Sequence, residues 1–272
     1  MRDFWVIVAV LSMAACSASD TQKASDARVV PASQLPAATT LGIPRLSLAR
    51  VASATAGAAI ATLRVQVVIE GEFLADSTVD ARTLDPACDA KFIDTKVQLN
   101  GKAVAGALLW VEGTGTVIDV QNVAEHRPTV VLEQCRLLPR VQLAAPGSTI
   151  QLVNHDERVE SLVIVPIVQN MPADTIAFNT GGQLVPVRNR ADSSGVLGIY
   201  STRLPRARAF VAIAPSGAAA ITDASGTASF MLDRAATRMV IRAWHPALGL
   251  ATGSFNPSTA GAAPTLTLTY RR

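Results

Sequence analysis

The sequence predicts an all-β protein built as a Greek-key sandwich. Three observations carry that expectation. Short apolar runs alternate with a period of two, Gly, Pro, Asn and Asp residues punctuate them, and no stretch beyond residue 58 holds a helical period for long. Composition agrees, since 49% of residues are hydrophobic while only 4% are aromatic, a balance of sandwiches rather than helical bundles.

Taken in order, the chain opens with Met1-Arg2-Asp3-Phe4 and then an apolar run from Trp5 to Ala15 that stops at Cys16. This is the shape of a secretory signal peptide over residues 1–15, too short to cross a bilayer as a stable helix. Met13-Ala14-Ala15-Cys16 resembles the lipobox of bacterial lipoproteins, with Met13 where Leu is usual. That resemblance implies acylation of Cys16, and acyl chains hold a membrane at about 0.8 kcal/mol per buried CH₂. Ser17 follows, without the Asp that favours inner-membrane retention, so an envelope lipoprotein of the outer membrane facing the periplasm is expected. Residues 16–58, rich in Ala, Ser, Thr, Asp and Pro, read as a flexible tether.

Leu63, Val65, Val67 and Ile69 then alternate with more polar neighbours up to Gly71, which is a half-buried strand. Val97-Gln98-Leu99 meets Asn100-Gly101, a strong hairpin signal, and Ala107 to Val111 supplies the returning strand. Further strands are expected at Thr129–Leu132, Val141–Leu143, Ile150–Val153, Leu162–Val165, Ala209–Ile213, Ala228–Leu232, Met239–Trp244 and Thr265–Tyr270.

Cys88 and Cys135 are the two thiols besides Cys16. In an oxidising compartment they are expected to pair, because neither has the neighbouring ligands that a metal site would need. A net charge of +3 comes from scattered Arg and Lys residues, not from a basic run interleaved with aromatics, so nucleic acid is not an expected partner. Even the tightest group, Arg203, Arg206 and Arg208, reads as an exposed loop.

From residue 85 onward a series of short pieces runs in order: Asp85 with Cys88, Gln134-Cys135 through Pro139-Arg140-Val141, Pro146-Gly147, Asn154-His155-Asp156, Phe178-Asn179, Leu204-Pro205, Thr222-Asp223-Ala224-Ser225-Gly226 and Trp244-His245-Pro246. Their succession resembles a periplasmic family that joins a plastocyanin-like (cupredoxin) region to a carboxypeptidase-regulatory, transthyretin-like segment, often labelled methylamine-utilisation-like. The resemblance implies a cupredoxin-like sandwich over residues 59–215 and a small regulatory-like β segment over 216–272. Copper-binding members carry a His four residues after the Asp of the Asn-x-Asp turn and a Cys-x-x-His-Pro-x-Met segment. At the corresponding positions this chain has Glu160, Ser201, Leu204 and Ala207. The thiolate, the two imidazoles and the axial thioether that make a blue copper centre are therefore all replaced.

His126, His155 and His245 are the remaining imidazoles, expected in a polar loop, a turn and a strand end. Asp156, Glu157 and Glu160 put carboxylates close together, as turns commonly do, and no Gly-x-Ser-x-Gly elbow or Walker-type loop occurs. The expectation is thus a non-catalytic, copper-free, cupredoxin-like lipoprotein without a cofactor, serving as a binding or assembly module for an envelope protein or glycan. A copper-binding electron-transfer or copper-handling protein of the same fold, using His155 or His245 with carboxylates, is the alternative.

Overall fold

The structure is a computed structural model that describes residues 46–53, 59–71, 77–80, 88, 91–94, 96–113, 116–119, 128–156, 158–166, 174–188, 194–204, 206–235, 238–259 and 264–271. Among the described residues the regular structure is strand, apart from one 3₁₀ turn at Pro257–Thr259. No helix of the described residues is long and apolar enough to cross a membrane. The all-β sandwich expected from the sequence is what the chain forms.

Four of its sheets stack as layers, and burial of apolar side chains explains the order. The first outer sheet is built on Ile60–Glu70, which pairs antiparallel with Thr227–Asp233 and parallel with Thr265–Arg271. Leu63, Val65, Val67 and Ile69 are buried on one face while Thr62, Arg64 and Glu70 are exposed. That alternation marks a sheet with one face on a core and the other toward solvent. Its core partner is the sheet of Ala219–Ile221, Leu108–Glu112, Met239–His245 and Gly249–Phe255. Leu109, Val111, Ile241 and Ala243 of that sheet meet Leu63, Val65, Phe230 and Leu232 in one cluster.

The second sandwich has an outer sheet of Arg136–Leu138, Thr129–Glu133, Thr149–Asn154 and Leu184–Arg188, facing a sheet of Val141–Ala144, Arg208–Ile213, Gly195–Ser201, Glu160–Pro166 and Asp174–Phe178. Val130, Leu132, Ile150 and Leu152 pack there against Leu162, Ile199, Ala209 and Val211. Each sheet contains one parallel pair, Thr129–Glu133 with Thr149–Asn154 and Val141–Ala144 with Arg208–Ile213. Parallel neighbours require the chain to cross between sheets instead of turning tightly back.

The two inner sheets join back to back. Leu108, Trp110 and Trp244 of one meet Val141, Val196, Phe210 and Ala212 of the other, and the Phe210 ring stands edge-on to Trp244 at 5.2 Å between centroids. Inner strands are therefore apolar on both faces, which is why Leu108-Leu109-Trp110-Val111 and Ala209-Phe210-Val211-Ala212-Ile213 read as continuous hydrophobic runs. The Trp110 indole satisfies its N–H by donating to Glu112 Oε1 at 2.8 Å, while Glu112 Oε2 accepts from Arg242 Nε at 2.7 Å.

Three boundaries differ from the expectation. The tether was expected to run to residue 58, yet Arg50–Ser53 is a strand paired parallel with Thr116–Asp119, Leu46 and Ala49 are buried, and Ala49 N–H donates to the Val111 carbonyl. Small and polar residues hide a strand whose apolar partners come from elsewhere in the chain. The hairpin at Asn100-Gly101 forms, with Leu99–Asn100 paired to Ala103–Val104, so that Gly101 and Lys102 are its central residues. Leu108–Glu112 is not its return arm, because that strand pairs instead with Met239–His245 and Ala219–Ile221.

Finally, a contiguous unit over 59–215 followed by a segment over 216–272 is not how the sheets divide. Residues 60–112 pair with residues 219–271, and the second sandwich is inserted between them. The seam is tight where Thr222 is buried, accepting the Ala107 N–H at 2.9 Å and donating to the Val104 carbonyl at 2.8 Å. Four residues on, Gly226 holds φ +71° with its Cα facing the Val67 carbonyl and the Val104 N–H so closely that a Cβ would lie 2.9 Å from both. Only glycine fits that combination.

Candidate functional site

Glu160, Ser201, Leu204 and Ala207, far apart in sequence, converge at one end of the second sandwich. Glu160 begins Glu160–Pro166 and Ser201 ends Gly195–Ser201, two antiparallel neighbours in which Leu162 lies opposite Ser201. The Ser201 hydroxyl donates to Glu160 Oε1 at 3.0 Å, and the same oxygen accepts the Ser161 N–H at 3.0 Å. Ser201 Oγ in turn accepts the N–H of Leu204 at 2.9 Å and of Arg203 at 3.2 Å. The loop closes on itself, since Ala207 N–H donates to the Leu204 carbonyl and Ser201 N–H to the Ala207 carbonyl. All four side chains are buried.

A charged lattice adjoins this end. Asn154 is fully buried, donating to the carbonyls of Arg158 and Thr180 and accepting the Asp156 N–H. Asp156 receives the backbone N–H of Gln134 at 2.7 Å and of Cys135 at 3.0 Å. Those two residues sit in the left-handed region, with φ 49° and 63°, and form the two-residue turn between Thr129–Glu133 and Arg136–Leu138. Neither is glycine or asparagine, the usual occupants of such a turn. The carboxylate cap and the Cys88–Cys135 disulfide hold it. Arg158 spans the lattice, with Nη1 at 2.8 Å from Cys88 Sγ and Nη2 at 3.3 Å from Asp156 and 3.9 Å from Glu160.

The donor chemistry does not fit copper. Blue copper requires a thiolate, two imidazoles and a weak axial ligand. Leu204 and Ala207 offer aliphatic side chains, Ser201 a hydroxyl already bonded to three partners, and Glu160 Oε1 two hydrogen bonds. Among the described residues no group of three or more His, Cys, Asp or Glu side chains stands close enough to hold a metal ion. The Asp156 and Glu160 carboxylates are committed to structural hydrogen bonds and do not form a facing acid and base pair. Glu157 lies outside the described residues, as do His126, Asp85, Pro205 and Cys16.

The two described histidines go elsewhere. His155 is exposed in the turn after Asn154. His245 is buried at the end of Met239–His245, where its Nδ1 accepts the Ala247 N–H at 3.2 Å. Burial, and secondarily the charge of Arg140, lower its pKa to about 4. It borders a cavity of about 280 Å³ at the seam of the two sandwiches, together with Lys96, Gln98, Arg136 and Arg140. Sequence reasoning missed this group, because its members lie up to 149 positions apart, from Lys96 to His245, with no shared motif.

No family model matches the chain, and no curated protein matches it. Some solved structures align with part of it. A copper-containing nitrite reductase from Thermus scotoductus aligns at 14% identity with a TM-score of 0.29, covering 38% of this chain and 25% of that one. A purple cupredoxin from Nitrosopumilus maritimus aligns at 14% identity and a TM-score of 0.27, covering 32% of this chain and 99% of the other. Amicyanin from Paracoccus versutus gives 18% identity and a TM-score of 0.28 over 34% of this chain and 86% of that one. The chain thus spans about a quarter of the nitrite reductase and most of each small protein.

Proposed function

We propose that this chain is a non-catalytic, copper-free, cupredoxin-like module of the cell envelope, anchored through an acylated Cys16 and serving to bind or assemble an envelope protein or glycan. One observation carries the reading. The four positions that the sequence resemblance gives to copper ligands meet at one end of the second sandwich, but as a buried Glu160–Ser201 hydrogen bond flanked by Leu204 and Ala207. Side chains that would bind a metal have been exchanged for ones that lock the loop. A protein with such a frame keeps a rigid scaffold whose loops and faces are free to carry a binding site.

The test is elemental analysis of the full chain after equilibration with copper and zinc and then dialysis. Bound metal well below an equivalent supports the reading. A full equivalent of copper overturns it and makes copper handling the function. Anchoring is tested separately by intact mass spectrometry of protein from a bacterial membrane fraction. An acylated Cys16 N-terminus is expected, and Cys16→Ser should release the chain to the soluble fraction.

A further inference from the structure

We propose that the cavity at the seam of the two sandwiches is a binding site for a small oxyanion-bearing molecule, a carboxylate or phosphate with little bulk beyond its head group. Its volume of about 280 Å³ lies at the small end of ligand pockets. Lys96, Arg136 and Arg140 line it, and among the described residues the rest of its lining is aliphatic, proline and glycine apart from Gln98 and His245, with no Asp or Glu. Three cations around one concavity, each partly withdrawn from water, raise the local concentration of anions. Arginine supplies a planar fork that matches a carboxylate or phosphate in two bonds.

The framework holds these groups in place. Arg140 has its backbone carbonyl bonded to the Phe210 N–H, and Arg136 Nη2 donates to the neutral amide oxygen of Gln134 at 3.1 Å. His245 uses Nδ1 to accept the Ala247 N–H, which leaves the proton on Nε2 and makes the ring a neutral donor. Burial and the Arg140 charge keep it neutral near pH 7, so it offers a hydrogen bond to an anion without needing to be charged. The elements come from three places: Lys96 precedes the Leu99–Asn100 hairpin of the first sandwich, Arg136 and Arg140 flank the second, and His245 ends an inner strand. The site therefore exists only when the two sandwiches are joined. It is independent of the Glu160–Ser201 end, so neither proposal falls with the other.

The experiment is equilibrium dialysis of the full chain against labelled inorganic phosphate and, separately, labelled benzoate, at low ionic strength. Saturable binding of one of the two to a single class of site is expected, with affinity falling as salt rises. Arg140→Gln and Lys96→Gln should each weaken it by about tenfold or more. Arg140→Lys should retain part of it, and Arg64→Gln, on the exposed face of Ile60–Glu70, should leave it unchanged. Far-ultraviolet circular dichroism and urea midpoints establish that each variant is folded. Preference for phosphate or for benzoate identifies the head group. Absence of saturable binding by both probes, or binding that Arg140→Gln and Lys96→Gln leave intact in folded protein, overturns the proposal.

Discussion

The Ser201 hydroxyl stands 3.0 Å from Glu160 Oε1 and donates to it across two adjacent strands, while accepting the backbone N–H groups of Arg203 and Leu204. One hydroxyl thus neutralises the desolvation of a buried carboxylate oxygen and shapes the loop that follows its own strand. Removing it takes away one of the two hydrogen bonds to Glu160 Oε1 and the acceptor of the Leu204 N–H, at about 1–3 kcal/mol. Ser201→Ala is therefore expected to lower stability by that amount in urea denaturation, and Ser201→Thr to recover part of it.

The convergence of Glu160, Ser201, Leu204 and Ala207 has a constructive counterpart. The combined variant Glu160→His, Ser201→Cys, Leu204→His and Ala207→Met places a thiolate, two imidazoles and a thioether on positions that are already neighbours. Copper uptake with an intense visible charge-transfer band is the expected result. A folded variant that takes up no copper would show that the four positions do not share a ligand geometry.

Asp156 caps a turn whose two central residues, Gln134 and Cys135, have positive φ without being glycine. Strain of this kind costs about 1–3 kcal/mol per residue and persists only where the surroundings fix it. Asp156→Ala removes two charge-assisted hydrogen bonds, so a loss of about 2–4 kcal/mol is expected. Gln134→Gly in the Asp156→Ala background should restore part of it, as read by thermal unfolding.

The Cys88–Cys135 disulfide closes a loop with a sequence separation of 47 residues, for which chain entropy gives about 4 kcal/mol of stabilisation. Cys88→Ala with Cys135→Ala should lower the urea midpoint correspondingly. The oxidised parent treated with reductant under native conditions should approach the same midpoint.

His245 makes stability depend on pH. Its folded pKa of about 4 lies below the ordinary 6.5 because burial, and then Arg140, penalise the imidazolium. A depressed imidazole pKa means the unfolded chain binds the extra proton first, so the stability contribution is present above pH 6.5 and is lost as pH falls from 6.5 toward 4. The loss amounts to about 3 kcal/mol at most. His245→Gln should flatten this part of the stability profile relative to the parent, measured by urea midpoints across the range.

Legibility differed between strand faces and strand partners. The Leu63–Ile69 strand could be read from its alternation because one face of its sheet is toward solvent. Thr222-Asp223-Ala224-Ser225-Gly226, one of the pieces that carry the resemblance, forms a turn held locally, since Asp223 accepts the N–H groups of Ser225 and Thr227 within its own loop. Arg50–Ser53 escaped notice because a four-residue strand of mixed composition carries no period of its own. At the candidate site, the resemblance named Glu160, Ser201, Leu204 and Ala207, but not the part of Arg158, whose contact with Cys88 joins two segments 70 residues apart while Asp156 and Glu160 are its near neighbours in sequence.

By itself the sequence determined an all-β chain, the buried face of each alternating strand, the turns that need Asp or Gly, and which two cysteines were available to pair. Those are local properties, written in residues within about ten positions of one another. Tertiary structure alone decided that residues 60–112 pair with 219–271 around an inserted sandwich, and that the two inner sheets bury both faces. It also brought Lys96, Arg136, Arg140 and His245 to one cavity. A strand's hydrogen-bonding edges are the same backbone atoms in every sequence. Which edges meet is therefore settled only when all the apolar faces are buried together.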